Sequence, residues 1–390
     1  MDSFVFSRSP RIVFGRGTFR ELGDIVSGFG RRVLLVTGAS SLRSSGRLQA
    51  LRDGLERKSI EFVHLAVEGE PSPDLVDRAV LEHRGVGIDV VLAVGGGSAI
   101  DAGKAISAML PLGTPVLDYL EEVGTAAHDG RKVPFVAVPT TAGTGSEATN
   151  NAVLSRVGAG GFKKSLRHEN FFPEVAVVDP ELALSCPRGV TAACGMDALT
   201  QLLESCLSTR ATPLTDALAW SGLERVRDNL PAVCGEGADD VGARAGMAYA
   251  ALVSGLALAN AGLGVVHGFA SAIGGLFEVP HGVVCGTLLG AATRANIASL
   301  QREGEGAEAL RKYARAGVLL AGRENADFRE GCRLLLDTLE GWTEALGLPL
   351  LGDYGINPSD VDSILAETSL KANPARLNRE ELADILRSRI

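Results

Sequence analysis

The chain reads as an α/β protein whose first half is a parallel, nucleotide-binding sheet and whose second half is all helix. Three observations predict this. Apolar strand-like runs alternate with amphipathic helical stretches as far as residue 184. Glycine- and threonine-rich loops follow two of those runs directly. From Thr191 onward the strand signals stop and helical periodicity continues to the end.

The elements follow in order. The opening "DSFVFSRSPRIVFG" predicts an antiparallel hairpin attached to the sheet. "RRVLLVTG" (31–38) is a strand ending in glycine, followed by a polar loop and the helical "GRLQALRDGLERK". "IEFVHLAV" (60–67) with "PDLVDRAVLEHR", then "GIDVVLAVGGGS" with "AIDAGKAISAML", repeat the unit, and "VPFVAVPTT" (133–141) supplies a fourth strand. Strands that are apolar throughout imply a parallel sheet covered on both faces. The second half reads as helices at "VTAACGMDALTQLLESCLS", "PLTDALAWSGLERVRDNL", "DDVGARAGMAYAALVSGLALAN" and "REELADILRS". Residues 1–184 and 185–390 are the expected domains.

Composition narrows the function classes. The 390 residues are 46% hydrophobic and 22% charged, with a net charge of −9 and a pI near 5.3. An acidic chain without a Lys/Arg cluster argues against a nucleic-acid partner. Residues 245–277 lack Asp, Glu, Lys and Arg, but this run is mostly Gly and Ala and holds Ser254, Asn260, His267 and Ser271. Polar groups are costly in lipid, so a buried helix pair is expected and no membrane partner. The six cysteines include no CxxC pair, and no secretory leader pattern is visible. Free thiols in the cytoplasm are the expectation.

Two loops point to a dinucleotide. Gly95, Gly96 and Gly97 end a strand and Ser98 is placed to cap the next helix. Backbone N–H groups without side chains in the way, at a helix N-terminus, suit a pyrophosphate. A tight βα turn needs one glycine, seldom three. "VPTTAGTGSEAT" (138–149) adds the hydroxyls of Thr140, Thr141, Thr144 and Ser146. The usual GxGxxG is absent, and "GFGRR" (28–32) precedes a strand, where it binds nothing. Beyond the first long strand, "VTGASSLRSSG" has no acid to hold a ribose 2′-OH, whereas Gly38, Ser40, Ser41 and Arg43 leave room and donors for a 2′-phosphate. NADP is therefore expected ahead of NAD.

"GMDALTQLLES" raises a different chemistry. Asp197 and Gln201 are four apart on one helix face, which suits either a metal site or an ordinary polar face. Taken alone, His267 in its apolar run reads as a core histidine and His281 in "VPHG" as a turn residue.

In order and spacing, "GGGSAIDAGKAI", "PTTAGTGSEAT", "VDPEL", "GMDALTQLLES" and "VHGFASAIGGLFEVPHG" resemble the iron-containing (group III) alcohol dehydrogenases of the dehydroquinate synthase-like superfamily. The resemblance implies NAD(P) in a cleft between the two domains, beside a divalent ion, Fe²⁺ or Zn²⁺. It places Asp101 and Lys164 among the cofactor-binding residues. The family's metal is held by one Asp and three His; Asp197, His267 and His281 match, and Gln201 stands where the first His belongs. A further family histidine that relays protons is Ser271 here. The expectation is a weakened metal site, with Gln201 a poor or absent fourth ligand. The implied activity is interconversion of an alcohol with an aldehyde or ketone by a homodimer. A metal-independent reductase, a non-redox cyclase or lyase on the same fold, and a non-catalytic nucleotide-binding subunit remain open alternatives.

Overall fold

The computed structural model describes residues 3–304 and 306–390. The first half contains β1 (Arg11–Phe14), α1 (Leu22–Ser27), β2 (Arg32–Gly38), α2 (Ser41–Ser44), α3 (Arg47–Arg57), β3 (Glu61–Val67) and α4 (Pro73–His83). There follow β4 (Val90–Gly95), α5 (Gly97–Met109), β5 (Phe135–Pro139), β6 (Asn151–Arg156), β7 (Phe162–Arg167) and β8 (Val175–Val178). Six of these strands form one sheet, ordered β1-β8-β5-β4-β2-β3, in which every pairing is parallel.

Strand alternation divides the core cleanly. Leu34, Val36, Val91, Ala93, Phe135 and Ala137 pack with the α4 and α5 side chains on one face. Their neighbours Val33, Leu35, Val90, Leu92, Val136 and Val138 pack with α1 and α3 on the other. Each buried Val, Leu or Phe among them contributes about 1.5–3 kcal/mol by leaving water. The predicted two-sided burial is what the structure shows.

The chain runs from β2 out to β3 and then returns to lay β4 on the other side of β2. At that reversal, carboxyl strand ends part above a crevice, the usual ligand position in open α/β sheets. Here the ends are close: a Cβ on Gly95 would lie 3.2 Å from the Gly38 nitrogen.

Two parts differ from expectation. Among the described residues no hairpin forms at the start; the first residue of that stretch, Asp2, lies outside them. β1 lies at the sheet edge, parallel to β8, and residues 3–10 carry no strand. Pro10 removes a ladder donor just before β1, and the preceding stretch has no partner strand. Conversely, β6 and β7 form an antiparallel ribbon with Leu154 opposite Lys164. It packs on the second half, where Gly158 N–H donates to Gly275 O at 3.1 Å.

The second half is helical from α6 (Arg188–Leu207) through α7 (Pro213–Val233), α8 (Val241–Ala261), α9 (Val265–Leu276) and α10 (His281–Glu303). α11 (Ala307–Leu320), α12 (Phe328–Ala345), α13 (Val361–Glu367) and α14 (Arg379–Arg387) complete it. α6 is buried along nearly its whole length, among residues of α7, α8, α9 and α10. α8 and α10 are long and apolar enough to cross a membrane, yet most of each apolar window is buried inside this core.

Candidate functional site

The cleft is framed on one side by backbone. β4 runs directly into α5 through Gly96, whose position as N-cap leaves the helix without any side-chain cap. Ser98 was expected to cap; it lies instead inside the first turn, because the helix starts at Gly97. The leading N–H groups of α5 are therefore presented by half-buried Gly96, Gly97 and Ser98. A Cβ on Gly97 would meet the Thr144 side chain at 2.7 Å, so only glycine lets the second loop close over the first.

That second loop makes its own turn at Gly145, with φ +62° and α8 packed against it. Thr140 N–H donates to Gly95 O at 2.9 Å, tying the two loops together. Thr140, Thr141 and Thr144 remain half-buried at the cleft. Ser146 and Asp101 do not face it freely. The Ser146 hydroxyl donates to one Asp101 oxygen, Val153 N–H donates to the other, and buried Lys104 donates to Ser146 O at 2.7 Å. These residues brace the loop against β6. Gly38 is half-buried at the end of β2, with Ser40 and Ser41 exposed beyond it.

Lys164 extends to an exposed ion pair with Glu122. Its neighbour Lys163, on the opposite face of β7, is buried and paired with Glu70, and its charge acts on His281. Of the two consecutive lysines it is Lys163 that bears on the cluster described next.

Facing the loops is a group of side chains from three helices. Asp197 (α6), His267 (α9), His281 and Cys285 (both α10) bring four donor atoms within 4.8 Å of one another. Asp197 Oδ1 lies 3.4 Å from His267 Nε2 and 3.7 Å from His281 Nε2. Cys285 Sγ is 3.7 Å from each of the same two nitrogens. Asp197 and Glu204 lie two turns apart on α6. Glu204 Oε2 sits 2.7 Å from His267 Nδ1, and Oε1 accepts from Val266 N–H at 2.7 Å. The carboxylate thus caps α9 and turns His267 Nε2 toward the cluster.

Gln201 takes no part in this contact set. Its Oε1 accepts from Ser254 Oγ at 2.7 Å and its Nε2 donates to Thr144 O at 3.2 Å. It ties α6 to the phosphate loop, and both ends of its carboxamide are engaged by protein. Ser271 lies one turn beyond His267 on α9 and donates to the His267 carbonyl at 2.9 Å.

The cluster fits a divalent cation. Asp197 is buried, and its Oδ1 has no hydrogen-bond donor among the described residues. An orphaned carboxylate oxygen in the interior calls for a positive partner. Burial would raise the Asp197 pKa, but His281 and His267 outweigh it and hold the group below the usual carboxylate value. Burial drives His281 down to about 4, with Lys163 and His267 adding to the effect against Asp197. Its imidazole is therefore neutral at neutral pH. Burial also opposes charge on His267, yet Cys285, Asp197 and Glu204 together carry its pKa well above the usual value. These neighbours favour positive charge at this spot, which a bound cation would supply.

Sequence reasoning had named Asp197, His267 and His281, which the structure brings together. It missed Glu204, Lys163 and Cys285. Cys285 carried a visible signal, since it lies four residues after His281 on one helix face.

Comparisons with known proteins agree with this architecture. Residues 9–180 match the iron-containing alcohol dehydrogenase family, and residues 191–390 match the C-terminal part of the Fe-containing alcohol dehydrogenase family. The chain is 31% identical to an NAD-dependent methanol dehydrogenase of Bacillus methanolicus, over 97% of this chain and 98% of that one. It is also 31% identical to an NADPH-dependent butanol dehydrogenase of Clostridium saccharobutylicum, over 96% and 95%. Among solved structures, an archaeal alcohol dehydrogenase from a Red Sea brine pool superposes with a TM-score of 0.90 at 26% identity, over all of both chains. A 1,3-propanediol oxidoreductase does so with a TM-score of 0.88 at 30% identity, again over all of both chains. Matched along both halves, the chain belongs to the iron-containing alcohol dehydrogenases.

Proposed function

We propose that this protein interconverts a small alcohol and its aldehyde or ketone with a nicotinamide dinucleotide, in the cleft between α5 and the Asp197 cluster. One observation carries the reading. An uncapped, glycine-lined helix N-terminus faces a buried carboxylate and two imidazoles whose donor atoms converge. The bound groups supply Lewis-acid polarisation of the substrate oxygen and hydride exchange at the nicotinamide.

The chain's own residues do the rest. Gly96, Gly97 and Ser98 hold the pyrophosphate through backbone N–H groups, with Thr140, Thr141 and Thr144 alongside. Asp197, His267 and His281 hold the cation, and Glu204 fixes the tautomer of His267. Burial, with Lys163 adding to it, keeps His281 neutral and its nitrogen lone pair available. The Ser271 Oγ hydrogen is on the His267 carbonyl, so its lone pairs remain open to accept. With no pKa near neutrality, Ser271 passes a proton on and does not store it.

NADP is the favoured dinucleotide. Beside the end of β2, Arg52 and Arg43 both lower the pKa of His64, after the larger effect of burial. The His64 ring joins Thr37 Oγ1 at 2.9 Å to Arg52 at 3.3 Å. This basic group, with no acid among Gly38 to Gly46, suits a 2′-phosphate. The relatives include both an NAD- and an NADPH-dependent enzyme. In a fluorescence titration NADPH should bind more tightly than NADH; equal or tighter NADH binding contradicts the preference.

A homodimer accounts for the edge of the sheet. Among the described residues β1 pairs only with β8 and exposes Ile12 and Phe14, an edge that proteins pair or cover. A monomer mass in light scattering at micromolar concentration contradicts it. Six unpaired thiols suit the cytoplasm.

The activity test is cofactor absorbance during turnover with a panel of short aliphatic aldehydes, using cation-loaded protein. Oxidation of NADPH coupled to aldehyde loss is expected. No cofactor oxidation with any member of the panel contradicts the reading.

A further inference from the structure

The α6 helix offers the cation a carboxamide where a histidine would serve, and the structure shows that carboxamide already engaged with Ser254 and Thr144. Three side chains are left, and a fourth lies beside them on α10. Cys285 is one turn beyond His281, so both project from the same helix face.

A buried cysteine is usually a small apolar residue with its sulfur against carbon. Cys285 differs. Its Sγ stands 3.7 Å from the Nε2 atoms of both histidines and within 4.8 Å of an Asp197 carboxylate oxygen. The orphaned Asp197 oxygen supplies an independent pointer to a ligand at the same spot.

Four of the six separations match the edges of a tetrahedral coordination polyhedron, and all six are within 4.8 Å. Zinc bonds of about 2.0–2.1 Å to N or O and about 2.3 Å to S give tetrahedral edges of roughly 3.3 Å between N or O donors and roughly 3.6 Å from S to N. Measured edges are 3.4 and 3.7 Å from Asp197, and 3.7 Å twice from Cys285.

We propose that Cys285 is the fourth protein ligand of the cation, in the role Gln201 has vacated, and that the site consequently takes zinc in preference to ferrous iron. It rests on the reading above, in which a cation occupies this cluster. Thiolate is a soft donor that zinc accepts readily, whereas three imidazoles and a carboxylate discriminate less. Asp197 and Cys285 then carry two negative charges, and the occupied site is neutral in its first set of neighbours. A coordinating thiol loses its proton to the ion's field, however high its pKa without the ion. Gln201, meanwhile, serves mechanically by holding the Thr144 loop over α6.

Cobalt substitution tests the assignment without reference to turnover. Full-length protein stripped with a chelator is titrated with Co²⁺ and followed by absorbance. Wild type should bind one equivalent and show a near-ultraviolet thiolate-to-cobalt charge-transfer band. Cys285→Ser should lose that band and weaken zinc at least about tenfold in chelator competition, since even residues outside the ligand set cost 10–100-fold. Circular dichroism and the melting temperature of the cation-free variant establish that it folds. Gln201→Ala should keep the band. Cobalt bound without the band overturns the proposal, as does failure to bind any cobalt, or zinc affinity unchanged in a folded Cys285→Ser. Cofactor oxidation measured on the same samples separates the two levels. Turnover without the band leaves the alcohol dehydrogenase reading standing and removes Cys285. The band without turnover does the reverse.

Discussion

The two walls of the cleft are built on opposite principles. The α5 wall is made of backbone, with Gly95, Gly96 and Gly97 contributing by having no side chain. The α6–α9–α10 wall is made of side chains, buried at Asp197, His267 and Cys285 and half-buried at His281, and oriented from behind where Glu204 holds His267. A backbone site rests on local chain geometry and tolerates change only where no atom is added. A side-chain site tolerates exchange of individual donors, provided the convergence survives. On that principle the glycine loop depends on having no side chains, while the Asp197 cluster offers four converging donors without Gln201 among them.

Breaking the side-chain wall should have the largest effect. Asp197→Ala removes the carboxylate facing both imidazoles and should abolish stoichiometric zinc binding, measured as metal content after desalting. Retention of one zinc per chain would refute the assignment. Glu204→Gln is milder. Its Nε2 cannot accept from His267 Nδ1–H, so zinc affinity should fall about 10–100-fold in chelator competition, with cofactor affinity little changed.

The backbone wall responds in the other observable. Gly97→Ala places a methyl 2.7 Å from the Thr144 side chain and should raise the NADPH dissociation constant by roughly tenfold, with zinc binding intact. Zinc loss in Gly97→Ala, or NADPH loss in Glu204→Gln at saturating zinc, would show that the walls are not separate.

An effect on folding stability, outside both walls, lies beneath the loops. Burial raises Glu147 from the usual 4.5 to about 7, against nearby Lys104. The folded chain therefore binds this proton more tightly than the unfolded one. Its contribution to stability is fully present below pH 4.5 and is lost as pH rises through about 7. Glu147→Gln should flatten that fall, narrowing the stability gap between pH 5 and pH 8 by roughly 2–3 kcal/mol in chemical denaturation. An unchanged gap would show that Glu147 ionises normally.

The same contrast explains what could be read in advance. β2 to β5 and their helices were legible, because apolar runs and 3.6-residue periodicity are local properties of the chain. So was the glycine loop. The β6–β7 ribbon was not: "NAVLSR" and "FKKSLR" mix polar and apolar residues, and their pairing depends on α9 packing behind them. The direction of β1 was misjudged because its parallel partner, β8, lies at the far end of the first half of the chain.

In the site, spacing along one helix was readable and convergence between helices was not. Asp197 and Gln201 drew attention by their four-residue spacing, yet only the fold shows Gln201 turned to Ser254. His281 and Cys285 have the same spacing, but a cysteine screened for a CxxC partner looks solitary. Lys163 and Lys164 are adjacent, and only strand alternation in the folded ribbon decides which faces inward.

The central claim is that the side-chain wall holds one cation on which chemistry across the cleft depends. Its most direct test is the rate of NADPH oxidation with an aliphatic aldehyde as zinc is added back to chelator-stripped protein. The account predicts a negligible initial rate that rises linearly and breaks at one equivalent per chain. A rate already maximal without zinc, and unmoved by its addition, would contradict it.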